Sequence, residues 1–144
     1  MPTYLEELFP KLSTTSYQIT SPRTYSYNCI AWAAMDQDNW WWPDEDGCYY
    51  WPDEAPREET IEAFIQAYGL SGYEVCDDAQ LEAGFEKIAL YALNNRPKHA
   101  ARQLNNGNWT SKLGQLEDIE HTLDGLVGNA YGAVVQFMRR PVIS

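Results

Sequence analysis

Cysteine is scarce in this chain and poorly placed for staples. Cys29, Cys48 and Cys76 are odd in number, far apart, and form no CxxC pair. That argues against a disulfide framework and against a zinc knuckle, and no metal or other cofactor is expected. Positive charge is also sparse, with ten basic residues against 21 acidic ones and a net charge of −11. Such an excess argues against nucleic acid or an anionic membrane surface as partner and leaves cationic peptides, cell-wall fragments or a basic protein. No apolar run reaches the length of a membrane span. The start, Met1-Pro2-Thr3-Tyr4-Leu5-Glu6-Glu7, lacks the basic and apolar regions of a signal peptide, so the expected compartment is the cytoplasm, with leaderless export left open. What is present is 44% hydrophobic residues with the charges spread out, enough for one domain over residues 1–144 with an unstapled core.

The chain is organised around Tyr27-Asn28-Cys29-Ile30-Ala31-Trp32-Ala33-Ala34-Met35. Seven apolar or small residues follow Asn28, too uniform for an amphipathic surface helix and too rich in alanine for a strand. They predict a short helix buried on all sides. Asn28 is a good N-cap, which places Cys29 in the first turn, where free amides and the helix dipole favour a thiolate. Two readings of Cys29 stand at this point: a nucleophile, or a small apolar residue filling the core.

Before that helix the sequence predicts a short helix from Tyr4 to Phe9, stopped by Pro10, and a Ser/Thr-rich strap from Ser13 to Ser26. After it, Trp40-Trp41-Trp42-Pro43-Asp44-Glu45 is echoed by Trp51-Pro52-Asp53-Glu54. Proline and glycine make this a long loop whose tryptophans either line a groove for a ligand, with Trp40, Trp41 and Trp42 as substrate-binding candidates, or roof the core. Its acids do not match a calcium loop, because Asp44, Asp46 and Gly47 lack the required spacing and closing glutamate. Residues 57–69 carry an Ile61, Phe64, Ile65, Tyr68 stripe and predict a helix opened by Pro56 and ended by Gly69. Gly72 to Cys76 predicts a short edge strand, with Cys76 structural. Phe85–Leu93, His99–Leu104 and Trp109–Leu113 read as an antiparallel meander, with Asn105-Asn106-Gly107-Asn108 as a hairpin signal. Leu116, Ile119, Leu123 and Leu126 predict a late helix, which turns His121 to solvent near Glu117. Ala133–Met138 predicts a last strand. The sum is an α+β domain in which a buried N-terminal helix packs on an antiparallel sheet.

Asn28-Cys29-Ile30-Ala31-Trp32-Ala33, then His99-Ala100-Ala101-Arg102-Gln103-Leu104, then Gly107-Asn108-Trp109-Thr110-Ser111-Lys112-Leu113-Gly114 resembles the papain-like cysteine hydrolases, nearest the compact branch of NlpC/P60 and CHAP-type cell-wall amidases. The resemblance covers about two-thirds of the chain by order of elements, carried by the Cys and His motifs. It implies a papain-like fold and attack of a Cys29 thiolate on a peptide or amide carbonyl, with His99 as base and then acid. The Cys29 amide, helped by Tyr27 or Asn28, would stabilise the oxyanion. The expected ion pair lowers the Cys29 pKa and raises that of His99. Those families place His, Asn, Asp or Gln on the strand after the histidine; this chain offers Trp109-Thr110-Ser111-Lys112. A two-residue turn at Asn106-Gly107 sets Thr110 and Lys112 on the histidine's face, whereas a three-residue turn or a bulge brings Ser111 round as the third site residue. The other functions that fit are an acidic, non-catalytic binding or immunity-type module using its aromatic loop on a basic partner, and transglutaminase-like acyl transfer to an amine.

Overall fold

The alternation in Phe85–Leu93 sets the architecture. Ile88 and Leu90 point to one side and Ala89 and Tyr91 to the other, and all four are buried. A strand apolar on both faces needs a cover on each, and the fold supplies two. A computed structural model describes residues 3–24 and 26–142. Met1 and Pro2 of the leader reading, and Tyr25 of the strap, lie outside them. The elements run α1 (Thr3–Leu8), β1 (Tyr17–Ser21), α2 (Cys29–Ala33), α3 (Ile61–Gly69), β2 (Glu74–Cys76), β3 (Phe85–Leu93), β4 (Arg96–Gln103), β5 (Trp109–Lys112), β6 (Asp118–His121) and β7 (Ala133–Pro141), with 3₁₀ turns at Pro10–Ser13 and Leu123–Leu126. All seven strands join one antiparallel sheet in the order β1-β6-β5-β4-β3-β7-β2. No helix among the described residues is long and apolar enough to cross a membrane.

One face is covered by α2, α3 and the tryptophan segment, through Ile30, Ala33, Trp41, Trp51, Phe64 and Tyr68. The other is covered by α1 and the two 3₁₀ turns, through Leu5, Phe9, Leu12 and Leu126. The aromatic segment is a roof: Trp42 meets Phe64 edge-on at 5.6 Å, Trp51 lies 5.0 Å from the same ring, and Trp41 stacks on Tyr68 at 6.3 Å.

Three expectations are corrected. Residues 116–126 do not form a helix. Asp118-Ile119-Glu120-His121 lies extended between β1 and β5, and these two partners outweigh a sparse helical stripe. The Ser/Thr-rich strap contains an edge strand, β1, whose Tyr17 and Ile19 alternate with exposed Gln18 and Thr20. The helix expected from residue 57 begins at Ile61, because Thr60 caps it by accepting from the Ala63 amide at 3.2 Å. Thr60→Ala is expected to lower stability by about 1 kcal/mol, read as a shift in urea midpoint at unchanged m-value.

Candidate functional site

Asn28 shapes the start of α2. Its Oδ1 accepts from the Ala31 amide at 3.1 Å and from the Trp41 amide at 3.0 Å, while its Nδ2 donates to the Trp41 carbonyl at 2.6 Å. The cap therefore also pins the tryptophan segment over the helix, and Cys29 opens the helix at only 6% exposure. The backbone amides of Ala100, Ile30 and Cys29 itself favour the thiolate, as does the charge of Lys112, but burial outweighs them and pushes the thiol up to about 11. The Ala100 amide is open to the sulfur for a topological reason. β4 and β5 pair only at Arg102↔Thr110 and Gln103↔Trp109, so the strands part toward the start of β4, where α2 packs on both.

The hairpin between β4 and β5 takes the three-residue form, with Gly107 at φ +90° and Gln103 opposite Trp109. That register gives His99 and Ser111 the same face, and His99 Nε2 lies 2.8 Å from Ser111 Oγ. The same hydroxyl lies 2.6 Å from His121 Nε2, and His121 Nδ1 lies 2.6 Å from the Thr122 carbonyl. Three adjacent strands thus carry one buried polar chain: His99 is 1% exposed, Ser111 0% and His121 1%. Its protons follow from its end. A carbonyl only accepts, so His121 carries its proton on Nδ1 and accepts at Nε2 from Ser111. Having donated there, the hydroxyl accepts from His99 Nε2–H, which leaves His99 Nδ1 as a bare lone pair. That atom is buried and has no hydrogen-bond partner. Tyr131 stacks on the ring at 4.1 Å and 7°, Tyr91 meets it edge-on at 5.3 Å, and Phe9 packs on Tyr131 at 5.0 Å. Gly132 lets Tyr131 approach so closely: its φ is +77°, and a Cβ there would sit 1.9 Å from the Ala92 carbonyl oxygen.

Several sequence expectations change here. No hydrogen bond joins Cys29 to His99 among the described residues; the sulfur lies against the amide of Ala100 on the α2 face, whereas the His99 side chain, one residue earlier on β4, turns to the opposite face with Tyr91. The two groups are not an ion pair. Burial and the neighbouring His121 hold His99 well below the usual imidazole range, the reverse of the expected rise, while the Cys29 thiol goes up rather than down. Asn28 is committed to the cap and to Trp41, and the Tyr27 hydroxyl donates to Asp118 Oδ2 at 2.7 Å, so neither is free as an oxyanion donor. Trp41 is core at 6% exposure, its Nε1 bonded to Asp36, and cannot meet a substrate; Trp40 and Trp42 are half-buried. His121 faces inward, not to solvent, because it sits on a strand. The sequence reading missed His121 and Tyr131 as neighbours of His99. The signal for the first was present in the alternation Asp118-Ile119-Glu120-His121; none marked the second. Among the described residues no three His, Cys, Asp or Glu side chains converge as metal ligands.

A second buried set lies on the α2 side. Lys112, 0% exposed, donates to the Gly114 and Leu116 carbonyls, packs 5.5 Å over the Tyr27 ring and sits opposite Asp118 in the β5–β6 register. It holds the segment that follows β5, and its charge favours the Cys29 thiolate.

A protein-family profile described as "Domain of unknown function (DUF7689)" matches residues 18–139. The chain belongs to this family, and the match takes in α2, the polar chain and most of the sheet. No curated protein and no solved structure matches the chain.

Proposed function

We propose that the protein is a papain-like cysteine hydrolase acting on a peptide or amide bond, with Cys29 as nucleophile and His99 as base. The observation that carries this reading is the bare Nδ1 of His99: one ring nitrogen is tied through Ser111 to His121, and the other is left unprotonated and unpartnered, on the residue before Ala100, whose amide meets the Cys29 sulfur on the opposite face of the sheet. A base needs that state, and a neutral Cys–His pair is competent if the proton moves as the substrate carbonyl arrives. As the structure stands, the His99 ring lies on the α1 face and the Cys29 sulfur on the α2 face. The reaction therefore requires the start of β4, which is not paired with β5, to rearrange and bring Nδ1 to the thiol. The thiol proton then passes to His99 Nδ1 and the sulfur bonds to the carbonyl carbon. The amine then leaves with the proton from His99, and water, giving its proton to the same nitrogen, cleaves the thioester. The amides of Cys29 and Ile30, which favour the Cys29 thiolate, would donate to the oxyanion in place of Tyr27 and Asn28. Ser111 and His121 act through His99 and are positioning residues.

A second reading, an acidic non-catalytic binding module, is favoured by one specific observation. The thiol is buried and protonated, and none of five surface cavities, of about 220 to 540 Å³, is lined by Cys29 or His99. Alkylation by iodoacetamide, followed at each cysteine by mass spectrometry, separates the two. For the hydrolase, Cys29 alkylation in the native state depends on the base, and His99→Ala slows it at least about tenfold while leaving exposed Cys48 unchanged. For the binding module, Cys29 reacts only on unfolding, and His99→Ala leaves it unchanged or speeds it.

A further inference from the structure

Arginine is paired almost everywhere in this acidic chain. Arg23, Arg57, Arg96, Arg139 and Arg140 each reach a carboxylate within 4.0 Å. Arg102 does not. Among the described residues its guanidinium makes no hydrogen bond and no ion pair; its Nε is buried without a partner, and the Trp32 ring lies 5.1 Å away, while Glu86 and Asp118 favour its charge only at longer range. With 21 acidic residues against ten basic ones, an arginine left unpaired is not for want of carboxylates. Arg102 also lines a cavity of about 250 Å³, where the end of α2 meets the loop before β3 and the ends of β4 and β7. The rest of the wall is largely apolar: Met35, Leu81, Phe85, Leu104 and Val142. Met35, Leu81 and Val142 are each more than half exposed. The one acid on the wall, Glu86, is held by Arg140 and makes no ion pair with Arg102, although its charge favours the cation.

We propose that this cavity binds a small carboxylate bearing a short unbranched apolar chain, its carboxylate on the Arg102 guanidinium and its chain against Met35, Leu81 and Val142. A guanidinium presents paired N–H donors that match a carboxylate, and the buried Nε of Arg102 has none to meet, so the ligand supplies what the protein lacks. The volume lies just below the range of drug-sized sites, about 300–1,000 Å³, which suits a short chain rather than a long one. The site stands apart from Cys29: Met35 follows the C-terminal end of the helix that Cys29 opens, about 9 Å along its axis at 1.5 Å per residue.

The test is isothermal titration of the full chain with octanoate, with octanol and acetate as controls. Octanoate is expected to bind saturably, about tenfold or more tighter than octanol, and each methylene removed from the chain to weaken it about three- to fourfold. Arg102→Gln is expected to bring octanoate down to the level of octanol. Since Arg102 also packs on Trp32, Leu81→Asp gives a second variant on an exposed rim residue, and it is expected to weaken octanoate at least about tenfold without changing the unfolding midpoint. Octanol binding as tightly as octanoate, or octanoate binding unaltered in either variant, overturns the proposal. Cys29→Ala is expected to leave octanoate binding unchanged; a loss there would place the carboxylate at the other site and sink this one.

Discussion

Lys112→Ala is expected to lower stability by about 3–5 kcal/mol, the largest effect of any single change considered for this chain. The ammonium is fully buried, donates to the carbonyls of Gly114 and Leu116, and faces Asp118 across the β5–β6 ladder. Removing it leaves two buried carbonyls without donors, each costing about 1–3 kcal/mol, and takes from Asp118 one of the two cations, with Arg102, whose charge favours its carboxylate. Burial already pushes the Asp118 carboxyl up, with Tyr27 and Lys112 opposing that rise, so losing Lys112 favours the protonated acid further. Two companions identify the cause in urea unfolding. Lys112→Met keeps the apolar stem over Tyr27 and should recover only the packing part. Adding Asp118→Asn to Lys112→Met should recover more, because the buried carboxylate whose charge Lys112 helped to offset is then gone. A Lys112→Ala loss below about 1 kcal/mol would show that water reaches the site and that the ammonium is not structural.

Ser111→Ala is expected to cost about 2–4 kcal/mol, since one small hydroxyl partners two buried imidazoles. It also unties the tautomers: His99 no longer receives its instruction from the Thr122 carbonyl, so under the hydrolase reading kcat falls while KM holds, and the pH profile of turnover changes shape. Long-range proton–nitrogen NMR spectra of the wild type read the chain directly, with His121 protonated at Nδ1 and His99 at Nε2. The opposite assignment for either ring would break the argument for a bare base. The same histidines set the acid limit of the fold. Burial lowers His121 from 6.5 to about 4, and His99 is lowered too. Between those values the unfolded chain binds protons that the folded chain refuses, so stability is intact above pH 6.5 and falls as pH drops toward 4. For His121 alone the loss reaches about 3 kcal/mol. His121→Gln should flatten the slope of stability against pH across that window, and an unchanged slope would place the titration elsewhere.

Much of the scaffold follows from local pattern. The alanine-rich run after Asn28, the stripe Ile61, Phe64, Ile65, Tyr68 and the strands β3, β4 and β5 are each written in residues close together in sequence, where capping, helical spacing and turn chemistry act. The partnership of His99 with Ser111 was one of two registers that the sequence allowed; the three-residue turn closed by Gly107 selects it.

What the sequence could not decide was anything settled by a distant neighbour. Asp118-Ile119-Glu120-His121 has a sparse helical stripe around it, and only the flanking β1, about 100 residues earlier in the chain, together with β5 makes it a strand and turns His121 inward. Tyr131 reaches His99 because Gly132 tolerates the Ala92 carbonyl at a distance no other residue would. The protonation of the candidate pair went the same way. At the level of sequence, Cys29 shows a helix start and free amides, which favour a thiolate. In the folded molecule desolvation is the larger force, and it leaves the thiol protonated and both histidines neutral. Burial belongs to the whole fold, because it is set by every element packed around a side chain, and a sequence gives the order of those elements without their distances.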